Sequence, residues 1–360
     1  MRVLFPKESQ DVASVTAVIP CYNYGRYLPL VMESVLSQER VNVRVIIVDD
    51  ASSDGSAQVA RNLASLDPRI TVVAHARNQG HIASYNDGLA RVESEFVTLI
   101  SADDLLAPGA LGRATDLMIQ HPRVGMVYGM PLSFDKEEGG PDQSNPGRLR
   151  SWTIWRGREW LLWACWRGRN FILSPEVVMR TEAMRQVGSY NSDLPHSGDL
   201  EYWLRTAVRW DIGRINGPVQ AYYRIHGNNM HLTTYNTMQA DLDHRRAAFD
   251  VLSTAALQDV LPDCERLHRL SRWGLCREAL LLAERNLDSG GPSEVSLAFL
   301  QVARSAFPSA DATLRGRAVL HRLRLSRGRE APQTVQRLIE GYRHQLDRAR
   351  WVAWRKVGIS

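Results

Sequence analysis

Apolar residues in the first hundred positions fall into two textures that alternate along the chain. Short solid runs rich in Val and Ile occupy residues 15–20, 43–48, 70–74 and 96–100, and each predicts a strand. Between them, residues 28–38, with Leu30, Val31, Val35 and Leu36 at helical spacing, and residues 56–66 and 83–91 predict helices; residues 105–118 predict one more. Strands that alternate with helices in this way imply right-handed crossovers and a mainly parallel sheet, a Rossmann-like arrangement suited to a nucleotide. The run 43–48, broken only by Arg44, leads straight into Asp49 and Asp50 and then a Ser/Gly-rich turn. Ligands of open α/β sheets collect beyond such carboxyl ends, so this pair is expected to face a crevice.

Past the fourth strand the texture changes twice. Residues 134–150 are polar and rich in Gly and Pro, which predicts a long surface loop, either a mobile lid or a linker. From about Met238 strand signals stop. Segments 276–287 and 335–352 have helical periodicity, punctuated by Ser289-Gly290-Gly291-Pro292 and Phe307-Pro308. The expected organisation is an α/β domain over 1–235 and an all-helical region over 236–360.

Composition places the chain among soluble globular proteins, with 360 residues, 44% hydrophobic and 23% charged. No apolar stretch approaches the roughly 18 residues of a membrane span, and residues 1–12 lack the apolar core of a signal peptide, so a cytoplasmic location is expected. Cys21, Cys165, Cys264 and Cys276 show no C-x-x-C spacing, which argues against a zinc site or a disulfide framework. The net charge of +5 is uneven: residues 311–360 carry twelve Lys/Arg against four Asp/Glu, a surplus of eight that leaves −3 for the rest. A solvated basic helix face is the expected reading of that tail, with peripheral contact at the inner face of a membrane as the alternative; no nucleic-acid partner is expected.

Four clusters could carry chemistry. Pro20-Cys21-Tyr22-Asn23-Tyr24 ends a strand in two aromatics, suited to stacking a flat base, or else forms a turn with a packed tyrosine. Asp49 and Asp50 can accept hydrogen bonds from a base edge or a ribose, or can shape the turn. Ser101-Ala102-Asp103-Asp104 follows the fourth strand; a carboxylate there can hold Mg²⁺ or Mn²⁺ while diphosphate supplies further ligands, or can cap a helix over 105–118. Gly198-Asp199-Leu200-Glu201 opens a predicted helix, where Asp199 can serve as a base or as a cap.

Taken in order, these clusters resemble one family, the inverting glycosyltransferases of family 2 with the GT-A fold. The matching residues run from Thr16 to Gln38 and from Val48 to Ser56, then through Arg77-Asn78-Gln79-Gly80, Asn86, Ser101 to Asp104, Gly198 to Arg205, and Tyr223-Arg224-Ile225-His226. The resemblance implies a donor half over about 14–130 and an acceptor half over about 150–235. It places a nucleotide sugar, UDP-linked by expectation, among Pro20, Tyr22, Asp49, Asp50, Arg77, His81, Ala102 and Asp103. It also implies that Asp103, with His226, reaches a Mn²⁺ or Mg²⁺ cofactor, that Arg224 and His226 close over the diphosphate, and that Asp199 is the general base. Two positions depart from the family pattern: Ser101 stands where an Asp is usual and Gly198 where a Glu is common.

The acceptor, a glycan, a lipid-linked sugar or a small natural product, is expected to meet the segment between the two acid motifs. Trp152, Trp155, Trp160, Trp163 and Trp166, five of the ten tryptophans, crowd there among Arg156, Arg158, Arg167 and Arg169. Trp155, Trp163, Asn170 and His196 are the acceptor candidates, although at least half of the rings are expected in the core or an interface, and membrane contact is a third reading. Two rival functions remain: a catalytically silent glycan- or nucleotide-sugar-binding protein of the same fold, and a nucleotidyltransferase. The latter would show a basic Gly-rich loop, whereas residues 18–27 hold one Gly and no Lys.

Overall fold

The computed structural model describes residues 1–136, 139–143, 147–227, 229 and 237–325. They divide into two compact units. The first comprises Met1–Trp160 and Phe171–Asn229. The second takes Leu161–Asn170 together with the helices beyond residue 230.

The first unit is built on one mixed sheet. In chain order its elements are β1 (Arg2–Leu4), β2 (Ala13–Cys21), α1 (Leu28–Leu36), β3 (Val41–Asp49), α2 (Ser56–Leu66), β4 (Ile70–Ala74), α3 (His81–Leu89), β5 (Phe96–Leu99), β6 (Leu105–Leu106), α4 (Ala110–Gln120), β7 (Val124–Phe134), β8 (Ser151–Trp155), the start of α5 (Gly157–Arg167), β9 (Val178–Arg180), α6 (Thr181–Val187), α7 (Gly198–Arg209) and β10 (Asp211–Arg224). The strands lie in the order β1-β8-β10-β7-β9-β5-β2-β3-β4, with β6 on β10. The ladders β4-β3-β2-β5 and β7-β10 are parallel, while β9 bridges β5 and β7 antiparallel to both. Consequently β2, β3, β5 and β10 all point the same way, and their carboxyl ends share one edge of the sheet.

Burial explains why these segments became strands. Val15, Ala17, Ile19, Val45 and Ile47 are closed to solvent, and so is Leu28-Val31-Val35 of α1, which packs into the same core. Helix α3 lies unusually close to the sheet. A Cβ at Gly88 would come within 2.4 Å of the Val18 side chain and 3.1 Å of Val48, so only glycine lets this helix approach. The four cysteines are buried and free. Among the described residues no helix is long and apolar enough to cross a membrane.

The pattern misplaced one boundary. The helix expected over 105–118 starts at Ala110, because Leu105 and Leu106 pair as β6 with Tyr222 and Ala221 of β10. A two-residue apolar run before a Pro-Gly break has no periodicity to reveal a strand, and the distant partner decides it.

The second unit is helical: α8 (Met238–Phe249), α9 (Ala255–Gln258), α10 (Cys264–Asp288), α11 (Ser293–Ala306) and α12 (Leu314–Leu325), joined by residues 161–170. The division therefore falls inside α5, and also near 230, rather than at 235 alone. The cause is a backbone contact within the second unit: a Cβ on Gly274 would meet the Cys165 carbonyl at 2.6 Å, and one on Gly168 would meet the Leu275 nitrogen at 2.6 Å. Arg169 pairs with Glu278 at 2.9 Å, and Arg245 donates to the Gly168 carbonyl at 3.1 Å. The periodic segment 335–352 and most of the basic tail lie outside the described residues.

Candidate functional site

The shared strand edge collects the predicted clusters. After β2 and β3 the chain makes two matched turns, with Asn23 and Ala51 both left-handed at φ 58° and 56°. Asn tolerates that region, but for Ala it costs roughly 1–2 kcal/mol, strain of the kind found where a backbone must hold functional groups. The turns lock together: Asn23 N–H donates to Ser52 Oγ at 3.0 Å, and Ser53 N–H donates to Asn23 Oδ1 at 2.8 Å. Tyr22, 48% exposed, projects from this double turn, with Pro20 partly buried behind it.

Asp49 and Asp50 are both buried but are used differently. Asp49 Oδ2 accepts from Ser52 N–H at 3.3 Å, while Oδ1 is buried with no hydrogen-bond partner among the described residues. Asp50 organises the next loop: Oδ1 bonds His75 Nδ1 at 2.7 Å and Gln79 N–H at 2.8 Å, and Oδ2 takes Gly80 N–H at 2.8 Å. Gly80 sits at φ 86°, a conformation that delivers its N–H to the carboxylate and starts α3. Arg77, on the same loop, is exposed.

Beyond β5, Ala102 is closed to solvent and Asp103 and Asp104 are buried. Neither caps a helix, since α4 begins only at Ala110 behind Gly109. Asp103 Oδ2 lies 2.9 Å from His226 Nε2, and its Oδ1 is buried without a partner among the described residues. Asp104 Oδ1 accepts Arg224 N–H at 2.9 Å; burial and then the neighbouring Asp103 hold its pKa well above the ordinary aspartate value. Tyr24 and Tyr27 pack on the His226 ring, at 5.4 and 5.9 Å between centroids.

Arg224 is placed differently from its expected role over a diphosphate. It is closed to solvent, and its guanidinium donates to the backbone carbonyls of Asp103 at 3.0 Å, Gly139 at 3.1 Å and Lys136. Tyr27 and Phe134 cover its two sides, each 4.5 Å from the guanidinium carbon. The guanidinium therefore clamps the loops of the site.

Asp199 lies in the first turn of α7, whose N-cap position is Ser197, so the capping alternative does not hold. Its Oδ2 accepts a hydrogen bond from the Ser174 hydroxyl, its Oδ1 is buried, and the Tyr190 hydroxyl also bonds the carboxylate. Burial raises its pKa above the ordinary value, against the opposing pull of the Ser174 bond, of His81 and of the Tyr190 bond. His81 Nε2–H donates to the Pro195 carbonyl at 2.9 Å, and its ring meets Tyr85 edge-on at 5.3 Å. Tyr85 meets Tyr190 at 5.5 Å, and Tyr190 stacks on Tyr202 at 4.1 Å. Tyr85 joins the two acids: burial raises its hydroxyl pKa first, then Asp199, then Asp103 and Asp104. Tyr223 feels burial, Asp104, Asp103 and Asp199 in the same way.

The acceptor candidates are divided between the two units. Trp155 is 4% exposed and, with Trp152 and Trp160, belongs to the core of the first unit. Trp163, 40% exposed, and Asn170 belong to the second unit, where Arg167 and Arg277 flank Trp166 at 4.8 and 4.5 Å. His196 is partly buried on the loop into α7. Ser174, Glu176, His75 and Tyr85 were not anticipated. Glu176 is buried, its Oε1 accepts Leu173 N–H at 2.8 Å, and burial holds its carboxyl well above the usual range. The segment Ser174-Pro175-Glu176 has no periodicity to mark it, so only its contacts reveal it. A cavity of about 680 Å³ lined by Arg2, Arg123, Arg156, Arg158 and Arg209 opens where β7 and β10 begin, at the opposite edge of the sheet from Asp103.

The residues fit a hard divalent cation in one respect: Asp103 keeps an orphaned buried oxygen beside the His226 imidazole. Two protein ligands suffice for Mg²⁺ or Mn²⁺ when phosphates supply others. Among the described residues no group of three or more His, Cys, Asp or Glu forms a metal cage.

Residues 16–185 match the family described as glycosyl transferase family 2. An uncharacterised glycosyltransferase of Nostoc sp. is 27% identical over 61% of this chain and 67% of its own length. Further glycosyltransferase relatives align over 34–35% of this chain and less than half of theirs. TarS of S. aureus, solved with UDP-GlcNAc, superposes with a TM-score of 0.60 at 16% identity, covering 85% of this chain and 88% of that one. The mannosyltransferase PcManGT of Pyrobaculum calidifontis, solved with GDP-Man and Mn²⁺, gives 0.52 at 18% identity over 89% and 88%. The fold is therefore of GT-A type, with a helical C-terminal region.

Proposed function

We propose that this chain, which belongs to glycosyl transferase family 2 over residues 16–185, transfers a sugar from a nucleotide-diphosphate donor to an acceptor hydroxyl with inversion, Asp199 acting as general base. One observation carries the reading. Asp103 keeps a buried oxygen without a hydrogen-bond partner among the described residues, and the Asp199 carboxylate, also buried at its oxygens, is held by the Ser174 and Tyr190 hydroxyls. Buried carboxylate oxygens without partners are costly unless a ligand uses them.

The donor end has a preference that can be derived from acceptor count. A carboxylate offers about four lone-pair positions, and Asp50 has three filled by His75, Gln79 and Gly80. One remains, on Oδ2. That suits the single ring N–H of uracil, whereas guanine presents an N–H and an amino group side by side and would use both oxygens. UDP is therefore the proposed carrier, with Tyr22 placed to stack on the base.

Asp103 and His226 would hold the divalent cation, which when bound neutralises charge on the diphosphate. Asp199 takes the proton of the acceptor hydroxyl as that oxygen forms its bond to the anomeric carbon from the face opposite the departing diphosphate. The carbon–oxygen bond to diphosphate breaks, and its electron pair leaves with UDP. The Ser174 and Tyr190 hydroxyls orient Asp199, and its remaining lone-pair positions receive the proton. Tyr85 and Tyr190, both pushed up by burial, stay protonated, and the Tyr190 hydroxyl helps hold the carboxylate of the base.

Isothermal titration tests the donor site. UDP is expected to bind more tightly with Mn²⁺ than without, to bind better than GDP, and to lose the Mn²⁺ enhancement in Asp103→Ala. Equal UDP affinity with and without Mn²⁺ in the wild type would remove the cation from this account.

A further inference from the structure

We propose that His75 is a positioning residue for the donor nucleotide: held as an imidazolium between Asp50 and Asp87, it fixes Asp50 so that one acceptor position on Oδ2 is left for the base. The inference rests on the donor-site reading above and extends it to a residue outside the recognised motifs.

The geometry dictates the charge state. His75 Nδ1 is 2.7 Å from Asp50 Oδ1 and Nε2 is 3.2 Å from Asp87 Oδ2. Ionised carboxylates only accept hydrogen bonds, and a neutral imidazole has a single N–H. Bridging both acids therefore requires a proton on each nitrogen. The His75 and Asp50 side chains are 6% and 3% exposed, so water has little room to replace the bond between them, while Asp87, 31% exposed, closes the outer side. Burial pulls the imidazole pKa down, but the bonds to Asp50 and Asp87 outweigh it and the net direction is up. The charged groups facing the ring are Asp50 from the end of β3 and Asp87 from α3, with Arg91 paired to Asp87 one helical turn further on.

The bridge reaches the rest of the site through covalent neighbours. His75 N–H is anchored to the Asp49 carbonyl at 2.9 Å, so the ring cannot follow a moving carboxylate far. Asp50 in turn holds Gln79 and Gly80, the residues that launch α3. That helix carries His81 and Tyr85, and Asn86 beside them exchanges two hydrogen bonds with the Tyr190 backbone, at 3.0 and 2.8 Å. Loss of the imidazolium proton sets a nitrogen lone pair against Asp50 or Asp87. The repulsion frees Asp50 to rotate and loosens the loop that shapes the base pocket.

The test is UDP affinity by isothermal titration with Mn²⁺ from about pH 6 to about pH 9, on wild type, His75→Gln and Asp87→Asn. Titration of the phosphates of UDP is common to all three proteins and cancels in the comparison. Wild-type affinity is expected to fall as pH rises through the imidazole titration. His75→Gln should bind roughly tenfold more weakly at low pH, the loss of a charge-assisted bond, and should lack that fall. Asp87→Asn should match wild type at the lowest pH and fall earlier, because one of the two carboxylates that stabilise the proton is gone. Unchanged affinity and pH dependence in His75→Gln would overturn the inference. Should that variant fail to fold, a fall at the same pH in Asp87→Asn and wild type would overturn it instead. Wild type that binds neither UDP nor GDP at any pH removes the donor-site reading and this inference together, whereas tight wild-type binding with unmoved variants removes the inference alone.

Discussion

Replacing Arg224 with lysine separates a scaffold role from a donor contact. The guanidinium spreads three donors over the carbonyls of Asp103, Lys136 and Gly139, and lies between Tyr27 and Phe134 at 4.5 Å on each side. A lysine ammonium is a single point with a flexible stem, so it can serve one of those carbonyls well and leaves two short of a partner. Each net hydrogen bond lost costs about 1 kcal/mol, and more where the carbonyl stays buried. The two ring contacts add roughly 0.5–1 kcal/mol apiece even at the value for an exposed cation. The sum is a destabilisation of about 3 kcal/mol. Urea unfolding followed by tryptophan fluorescence should show an earlier first transition in Arg224→Lys with its slope unchanged, and UDP affinity should decline only modestly in the folded protein. An unmoved unfolding midpoint with UDP binding abolished would refute the clamp and return Arg224 to the diphosphate.

Glu176→Gln and the pH profile of turnover follow from raised pKa values. The buried Glu176 carboxyl titrates well above 4.5, so its contribution to stability is fully present below the unfolded pKa and is lost as pH rises through the folded one. Glu176→Gln should therefore equal or exceed wild-type stability at alkaline pH and show a flatter pH dependence in thermal unfolding; a variant less stable at every pH would contradict this. For turnover the sign is opposite, since a base must be deprotonated. Asp199 sits above its ordinary 3.8, so kcat should fall on the acid side at a pH higher than an exposed aspartate would give, and no acid limb at all would argue against a carboxylate base.

Parallel strands were legible because burial on both faces writes them as solid apolar runs. Residues 70–74 and 56–66 fold with the boundaries their pattern predicts. The motif acids also arrive at one sheet edge, as expected of strand ends. What could not be read is which polar atoms are already occupied. Asp50 looked like a free recognition residue, yet three of its acceptor positions go to a loop 25–30 residues away in sequence. Arg224 was expected over the diphosphate because nothing local signals that Tyr27, Phe134 and three carbonyls surround it. The tryptophan cluster read as one feature and divides into two: Trp152, Trp155 and Trp160 fill the first unit's core, while Trp163 and Trp166 belong to the second. Pairings of this kind are long-range, and no window of sequence contains them.

The central claim is that Asp199 removes the acceptor proton while contributing nothing essential to donor binding. Asp199→Asn keeps the side-chain size and the Ser174 contact but cannot take a proton. UDP release from UDP-sugars and UDP affinity by titration should be measured on the same preparation. Near wild-type UDP affinity is expected, with release lowered on the order of 10²–10⁴-fold, the usual contribution of a general base. Release at the wild-type rate by Asp199→Asn would contradict the claim.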